Sequence, residues 1–354
     1  MRVPVAASAK KILERFPVEA SAPCRIDSGG TWDIKALALP MAWVQPVTVN
    51  IALSLRTKVT LSPFTEGRIK ISSYGFSHEE QHPADSLPFN SPFGVFFAAL
   101  AHFACQGVHV RIEAASPVKA ALGGSSTALI ALIKALSDLG ALADQPRLSR
   151  KEILHLGYHL EDAVSPGKCG IQDQAAAVYG GVSQWLWRYE STKTLFSRKP
   201  LLNRSEQQEL SKHILVAYSG TSHISARMNQ AWIQDFLSGK TRAGWVKVND
   251  LVKEFGRMIG NKAWKEAARI LRQEMAVRRE ITPDALIPVT EQLICMAEDA
   301  GCGARFTGAG AGGSVWALGE KESIDQLRTH WREELTPVKG AGILQCVVDP
   351  EGVL

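Results

Sequence analysis

The chain reads as an α+β protein folded in two lobes, and three observations predict this. At 354 residues it is longer than a single hydrophobic core ordinarily serves. Short runs rich in Val, Ile, Leu and Thr are interleaved with longer apolar runs of helical period in both halves. A charged stretch from Arg188 to Glu209 separates those halves and predicts domains at 1–190 and 205–354. Hydrophobic residues make up 45% and charged residues 21%, the balance of a globular protein.

The elements follow in order. Residues 1–20 are a lead-in without a clear pattern. Val47–Leu61 has the composition of strands, and Gly75–Pro92, polar and proline-bearing, that of a loop. A strand is expected over Val108–Glu113, a turn over Ser116–Ser126, and a helix over Thr127–Leu139 closed by Gly140. Ser149-Arg150-Lys151-Glu152 has the form of a capping box, opening a helix whose Ile153, Leu156 and Leu160 recur at helical spacing. Val182–Trp187 reads as a strand. The second half starts with a strand over His213–Tyr218, continues through helices that include Trp264–Arg279 and Val289–Asp299, and ends with a strand over Ile343–Val348. There is no internal repeat and no low-complexity segment.

Bulk properties exclude several classes. The net charge of +5 is a modest excess, and no basic stripe interleaved with aromatics is present, so nucleic acid is not an expected partner. Six cysteines stand far apart, at 24, 105, 169, 295, 302 and 346, with no Cys-x-x-Cys pair. That spacing fits reduced thiols better than disulfides or zinc. No run of some 18 apolar residues and no cleavable leader is seen, so the expectation is a cytoplasmic protein, without membrane partners, acting as a monomer or homodimer.

The turn from Ser116 to Ala128, Ser-Pro-Val-Lys-Ala-Ala-Leu-Gly-Gly-Ser-Ser-Thr-Ala, is the most informative segment. Gly123 and Gly124 let backbone approach a ligand without a Cβ in the way. The helix that follows presents free N–H groups and partial positive charge to an anion. Gly124 is followed by Ser125 and not by Lys, so this is not the common Gly-x-x-x-x-Gly-Lys-Ser/Thr loop; nor is it Gly-x-Gly-x-x-Gly.

Three more segments stand with it: Ala22-Pro23-Cys24-Arg25-Ile26-Asp27-Ser28-Gly29-Gly30-Thr31-Trp32-Asp33; Gly167-Lys168-Cys169-Gly170-Ile171-Gln172-Asp173-Gln174 leading to Gly180-Gly181; and Gly303 to Val315 with its run Gly308-Ala309-Gly310-Ala311-Gly312-Gly313. In this order and at these separations the four segments resemble the GHMP small-molecule kinases, and the resemblance runs from Ala22 to Val315. It is nearest the heptose (D-glycero-D-manno-heptose phosphate) and fucose kinase branches and the galactokinase branch. The resemblance implies the two-lobed GHMP fold, with an N-terminal lobe like ribosomal protein S5 that binds ATP and a C-terminal ferredoxin-like lobe.

It also implies roles. Ala121, Leu122, Gly123, Gly124, Ser125 and Ser126 would cradle the phosphates of ATP. Ser125 and Glu161 would ligate Mg2+, with Asp162 as the neighbouring alternative for the carboxylate. Asp173 would face the acceptor hydroxyl as base or orienter, with Arg25 beside it. Asp33 and Gly30 would bind the substrate, together with Tyr218 in the segment Tyr218–His223, which resembles a strand-end segment of heptose and fucose kinases. Asp27 either bonds local backbone or touches substrate. The chain departs from related sugar kinases at Trp32, which stands between Thr31 and Asp33. The implied activity is ATP- and Mg2+-dependent phosphorylation of a sugar or sugar phosphate at its anomeric hydroxyl. The alternatives are a mevalonate-type kinase and a catalytically silent sensor of sugar and ATP.

Overall fold

The computed structural model describes residues 9–74, 79–165, 169–222 and 225–354. Gly167, Lys168 and His223, quoted above, lie outside the described residues.

Seven strands form the first sheet: β1 (Val18–Ser28), β2 (Val47–Pro63), β3 (Arg68–Ser73), β4 (Glu80–Pro83), β5 (Val108–Ala114), β6 (Val182–Trp187) and β7 (Phe196–Pro200). Their order is β4-β3-β5-β2-β6-β7, with β1 paired to β2. The 17-residue β2 is the spine. Its first half pairs with β6, its second half with β5, and nearly all of it with β1. From Val47 to Leu53 every residue of β2 is buried, because both faces are covered; from Ser54 onward exposed residues alternate with buried ones, the signature of one covered face. Helices Gly94–His102, Gly124–Ala141, Arg150–Val164 and Gln172–Tyr179 complete this lobe and share a core with β2, β3 and β5. The capping box at Ser149 forms as expected, with the Glu152 N–H donating to Ser149 Oγ.

The second sheet has four antiparallel strands: β8 (Ile214–Tyr218), β9 (Gly303–Phe306), β10 (Ser314–Leu318) and β11 (Gly342–Ile343), in the order β11-β8-β10-β9. Helices Ser225–Leu237, Arg242–Gly260, Trp264–Ile281, Pro288–Asp299 and Lys321–Leu335 accompany it. The Arg242–Gly260 helix joins the lobes. Trp245, Val248, Val252, Phe255 and Ile259 recur every three or four residues and are buried in one core with Val49 and Ile51 of β2. Burying each such side chain contributes roughly 1.5–3 kcal/mol. Asn249, on the same face, accepts from the Val47 N–H at 2.9 Å and donates to the Val44 carbonyl at 2.9 Å, so the helix is registered as well as packed.

Several boundaries differ from the sequence expectation. Val47–Leu61 is one long strand. The Gly75–Pro92 loop contains β4. The glycine-turn helix starts at Gly124, and Gly140 lies inside it. Of Ile343–Val348 only Ile343 lies in a strand, the two-residue Gly342–Ile343, and Val348 makes one isolated bridge to Leu53. The domain limits move too. β7 pairs with β6, so the first lobe runs past residue 190 to Pro200. The tail from Val347 to Leu354 leaves the second lobe and binds the first. Ser54 N–H donates to Val347 O, Asp349 N–H to Ala52 O, and Ser21 exchanges backbone hydrogen bonds with Leu354. Local composition does not report where a strand finds its partner, which is why both limits were missed.

Candidate active site

The Ser116–Ser126 turn leaves β5 and enters the Gly124–Ala141 helix. Lys119, Ala121 and Gly123 have φ of 57°, 61° and 78°. Alternate residues in the left-handed region curl the backbone into the kind of concavity that gathers N–H groups around an anion. Two of the three are not glycine, and such strain persists only where surrounding contacts enforce it. Those contacts are present. The Arg25 N–H donates to Leu122 O at 3.1 Å, and Arg25 Nη1 donates to Ala121 O at 2.8 Å. Gly313 backs the turn from the second lobe: a β-carbon there would fall 2.6 Å from Ala121 Cβ. Gly123 is the helix N-cap and offers no side chain to the first-turn N–H groups. Ser125 beside it is exposed and Ser126 is buried.

A cleft of about 390 Å³ opens along this turn, within the range of small-ligand sites. Its walls include apolar Phe93, Phe96 and Ile112, the whole segment from Ser116 to Ser126, and three carboxylates, Asp33, Glu161 and Asp173.

Asp173 sits in the first turn of the Gln172–Tyr179 helix, against Gly123, where a β-carbon would lie 3.1 Å from its Cγ. Its Oδ1 accepts from Arg25 Nε at 2.8 Å and lies 2.7 Å from Nη2. Arg25 is buried and Asp173 keeps 26% side-chain exposure; both line the cleft, the carboxylate being the more open of the pair. Asp33 is buried; its Oδ1 accepts from the Thr31 N–H at 3.1 Å and its Oδ2 from the Gln172 N–H at 3.0 Å. Burial raises the Asp33 carboxyl to about 6, against the lowering effect of the Gln172 N–H. Burial likewise raises Glu161 to about 7. The Glu161 carboxylate accepts from Ser126 Oγ at 3.0 and 2.8 Å and from Gln174 Nε2 at 2.6 Å.

The structure therefore brings together Arg25, Asp33, Glu161, Asp173 and the turn from Ala121 to Ser126. The other candidate residues stand elsewhere or in other company. The serine that meets Glu161 is Ser126; Ser125, in the first turn of the helix, is exposed and lines the cleft without a bond to Glu161. Asp27 does not line the cleft: it is fully buried, with Oδ1 accepting from the Gly308 N–H at 2.9 Å and Oδ2 from Arg305 Nη1 at 3.2 Å. Its backbone partner is thus Gly308 of the second lobe and not the local backbone that one of the two sequence readings names. Gly30 is also off the cleft, covering Asp27 and Gln172 where a side chain would collide with both. Tyr218 lies in β8 between Ser314 and Gly342, in the core of the second lobe. Asp162 pairs with Lys35 at 2.8 Å, away from Ser126. Trp32 is core: its Nε1 donates to Trp245 O at 2.9 Å, and its ring meets Phe236 and Trp245 edge-on.

Sequence reasoning missed Gln174, which holds Glu161, and the charged residues beneath Asp27. Glu274 and Arg278 are buried in the Trp264–Ile281 helix along with Ala267, Leu271 and Met275. Charged residues at core positions of an amphipathic helix were the available signal.

The family model of the GHMP kinases N terminal domain matches residues 91–181, and that of the GHMP kinases C terminal matches residues 251–336, together half of the chain. The chain belongs to the GHMP kinases. This GHMP kinase is 23% identical over 343 residues to the L-fucokinase/L-fucose-1-P guanylyltransferase of Bacteroides fragilis, a match covering 84% of this chain and 34% of that protein. The chain thus spans about a third of that relative's length. It is 26% identical over 326 residues to the mevalonate kinase of Pyrococcus horikoshii, covering 82% of this chain and 85% of that one. The crystal structure of a D-glycero-D-manno-heptose 1-phosphate kinase from Bacteroides thetaiotaomicron superposes with a TM-score of 0.70 at 17% identity, over 95% of this chain and 97% of the other. That likeness establishes the fold. GHMP kinases use ATP. Among the described residues no helix is long and apolar enough to cross a membrane, and the six cysteines are free.

Proposed function

We propose that the protein transfers the γ-phosphate of ATP to a hydroxyl of a sugar or sugar phosphate, at the anomeric position, with Mg2+. The observation that carries the acceptor class is Asp33. Two backbone N–H groups fix its buried carboxylate in the wall of the cleft that holds Asp173, and its remaining lone pairs suit sugar hydroxyls. A polar site built for hydroxyls discriminates strongly against ligands that lack them.

In this reading the turn from Ala121 to Ser126 receives the phosphates, and Phe93, Phe96 and Ile112 supply an apolar wall for the base. Phosphoryl transfer needs positioning and charge neutralisation more than covalent help. Asp173 orients the acceptor hydroxyl and takes its proton. Arg25 holds that carboxylate in place through its Nε and Nη2. Residues suited to a magnesium ion are present: Glu161 is a buried carboxylate with no cation in contact among the described residues, and Ser126 offers a second hard oxygen beside it. Bound there, the ion would neutralise phosphate charge. The remaining ligands would be nucleotide oxygens and water.

A mevalonate-type acceptor is the second reading, and the similarity to the Pyrococcus horikoshii enzyme favours it. Asp33 opposes it, since a fixed carboxylate repels an acidic acceptor. A silent sensor would not need Ser126, Glu161 and Asp173 together. ADP release measured across free and phosphorylated hexoses and heptoses, mevalonate and homoserine decides among the three. Turnover on a sugar is expected; product that is mainly phosphomevalonate would discard the sugar reading, and no ADP above background with any acceptor would favour the sensor.

A further inference from the structure

Behind the cleft runs a file of alternating charges that joins the two lobes. Asp173 Oδ1 meets Arg25 Nη2 at 2.7 Å, and Arg25 Nη1 meets Asp27 Oδ1 at 3.7 Å. Asp27 Oδ2 meets Arg305 Nη1 at 3.2 Å, and the same nitrogen meets Glu274 Oε1 at 3.1 Å. Glu274 then grips the start of the Gly29–Asp33 segment: Ser28 Oγ donates to its Oε2 at 2.5 Å and the Gly29 N–H to its Oε1 at 3.2 Å. Arg25, Asp27, Arg305 and Glu274 are all at most 4% exposed. The first three members stand on the first lobe, while Arg305 belongs to β9 and Glu274 to the Trp264–Ile281 helix of the second.

Stability alone is a poor account of this file. Buried ion pairs lose in desolvation about what they gain in attraction, and an apolar core of the same volume serves as well or better. Arg278 shows how much is tolerated here. Fully buried, it is held against the rings of Trp232, Trp245 and Phe306 with none of its three guanidinium nitrogens hydrogen-bonded. What the file supplies is direction: Arg25 is hydrogen-bonded to Asp173 and Arg305 to Asp27, and the 3.7 Å ion pair between Arg25 and Asp27 joins the two. Its two ends are the groups whose placement matters most for transfer, the Asp173 carboxylate and the segment bearing Asp33.

We propose that Arg305 and Glu274 are positioning residues for phosphoryl transfer. Through Asp27 and Arg25 they aim the Asp173 carboxylate, and through Ser28 and Gly29 they hold the Asp33 segment, so the second lobe sets the geometry of a site built mostly on the first. This rests on the function proposed above.

The test uses the full chain and whichever acceptor the wild type phosphorylates. Arg305→Lys, Glu274→Gln and Ser28→Ala are compared with wild type in kcat, in KM for ATP and for acceptor, and in thermal unfolding. A displacement on the order of 1 Å costs up to about 100-fold in rate. The charge variants are expected to lose about 10- to 100-fold in kcat with KM for ATP within about twofold of wild type. Ser28→Ala, which removes one hydroxyl and leaves every charge paired, is expected to raise KM for the acceptor several-fold; it decides the matter if the charge variants do not fold. Arg305→Lys placed on Asp173→Asn should add little further loss, because both act through one carboxylate. Losses that simply multiply in that double variant, or a folded Ser28→Ala with wild-type KM for the acceptor, would overturn the proposal. A wild type that turns over no acceptor would overturn the function as well, whereas an active wild type with unaffected variants would overturn only the positioning role.

Discussion

Asp33 shows how one residue is set by opposing forces. Burial raises its carboxyl to about 6 while a backbone N–H pulls the other way. Its proton is held more tightly in the folded chain than in the unfolded one. The stability this contributes is therefore complete below the ordinary carboxyl value of 3.8 and is lost as pH rises through about 6. Acceptor binding has the opposite sign, since the ionised form accepts hydroxyls best. With magnesium saturating, so that Glu161 stays ionised, we expect kcat/KM for the acceptor to fall below pH about 6 and Asp33→Ala to abolish that limb. An acid limb that persists in Asp33→Ala would assign it elsewhere. Asp173→Asn is expected to cost roughly two orders of magnitude or more in turnover and to leave nucleotide affinity unchanged by calorimetry; near-normal turnover would remove Asp173 from its role. For the metal, Glu161→Gln and Ser126→Ala should each raise the magnesium needed for half-maximal activity, while Ser125→Ala should overlay wild type. The reverse order of the two serines would restore the sequence expectation. That expectation could not separate two adjacent serines, since only the orientation of the first helical turn decides which one faces Glu161.

Among the elements, the glycine turn was legible because strand, small residues and apolar helix follow each other locally. Its shape was not. The left-handed conformations of Lys119 and Ala121 are held by Arg25 and by Gly313, which lie far away in the chain. Gly123→Ala places a methyl group against Asp173 and forces a side chain to a φ of 78°. We expect it to cost about 1–2 kcal/mol of stability from the backbone alone. Turnover should fall further than unfolding explains, because Asp173 must move. Equal turnover per folded molecule, measured below the melting transition, would show that Gly123 serves the backbone only. Paired segments were harder to read than helices. β1 and the single long β2 gain their identity from each other, whereas the Ser149 capping box declares itself within four residues.

At the scale of the whole molecule, the tail that returns to the first sheet makes a test of how the lobes are tied. Arg56 donates to Asp349 Oδ2 at 2.7 Å, to Gly352 O at 2.8 Å and to Ser21 O at 3.0 Å. Arg56→Met leaves those acceptors without their donor and should destabilise the chain by about 2–3 kcal/mol in denaturant unfolding. Activity of the folded fraction at 25 °C should stay near wild type; an unchanged midpoint would show that the tail is held by its backbone ladder alone. By itself the sequence determined the family, the α+β class and the segments that meet at the cleft, because turns, caps and helical periods are local and the four glycine-bearing motifs recur in order. Only the tertiary structure decided which members of those motifs face the cleft. Asp27 and Tyr218 stand in or beside the right segments yet are buried in the core, Gly30 covers Asp27, and Arg305 and Glu274 approach from the other lobe. Which way a side chain points depends on what packs against it, and those neighbours are as much as 289 residues away.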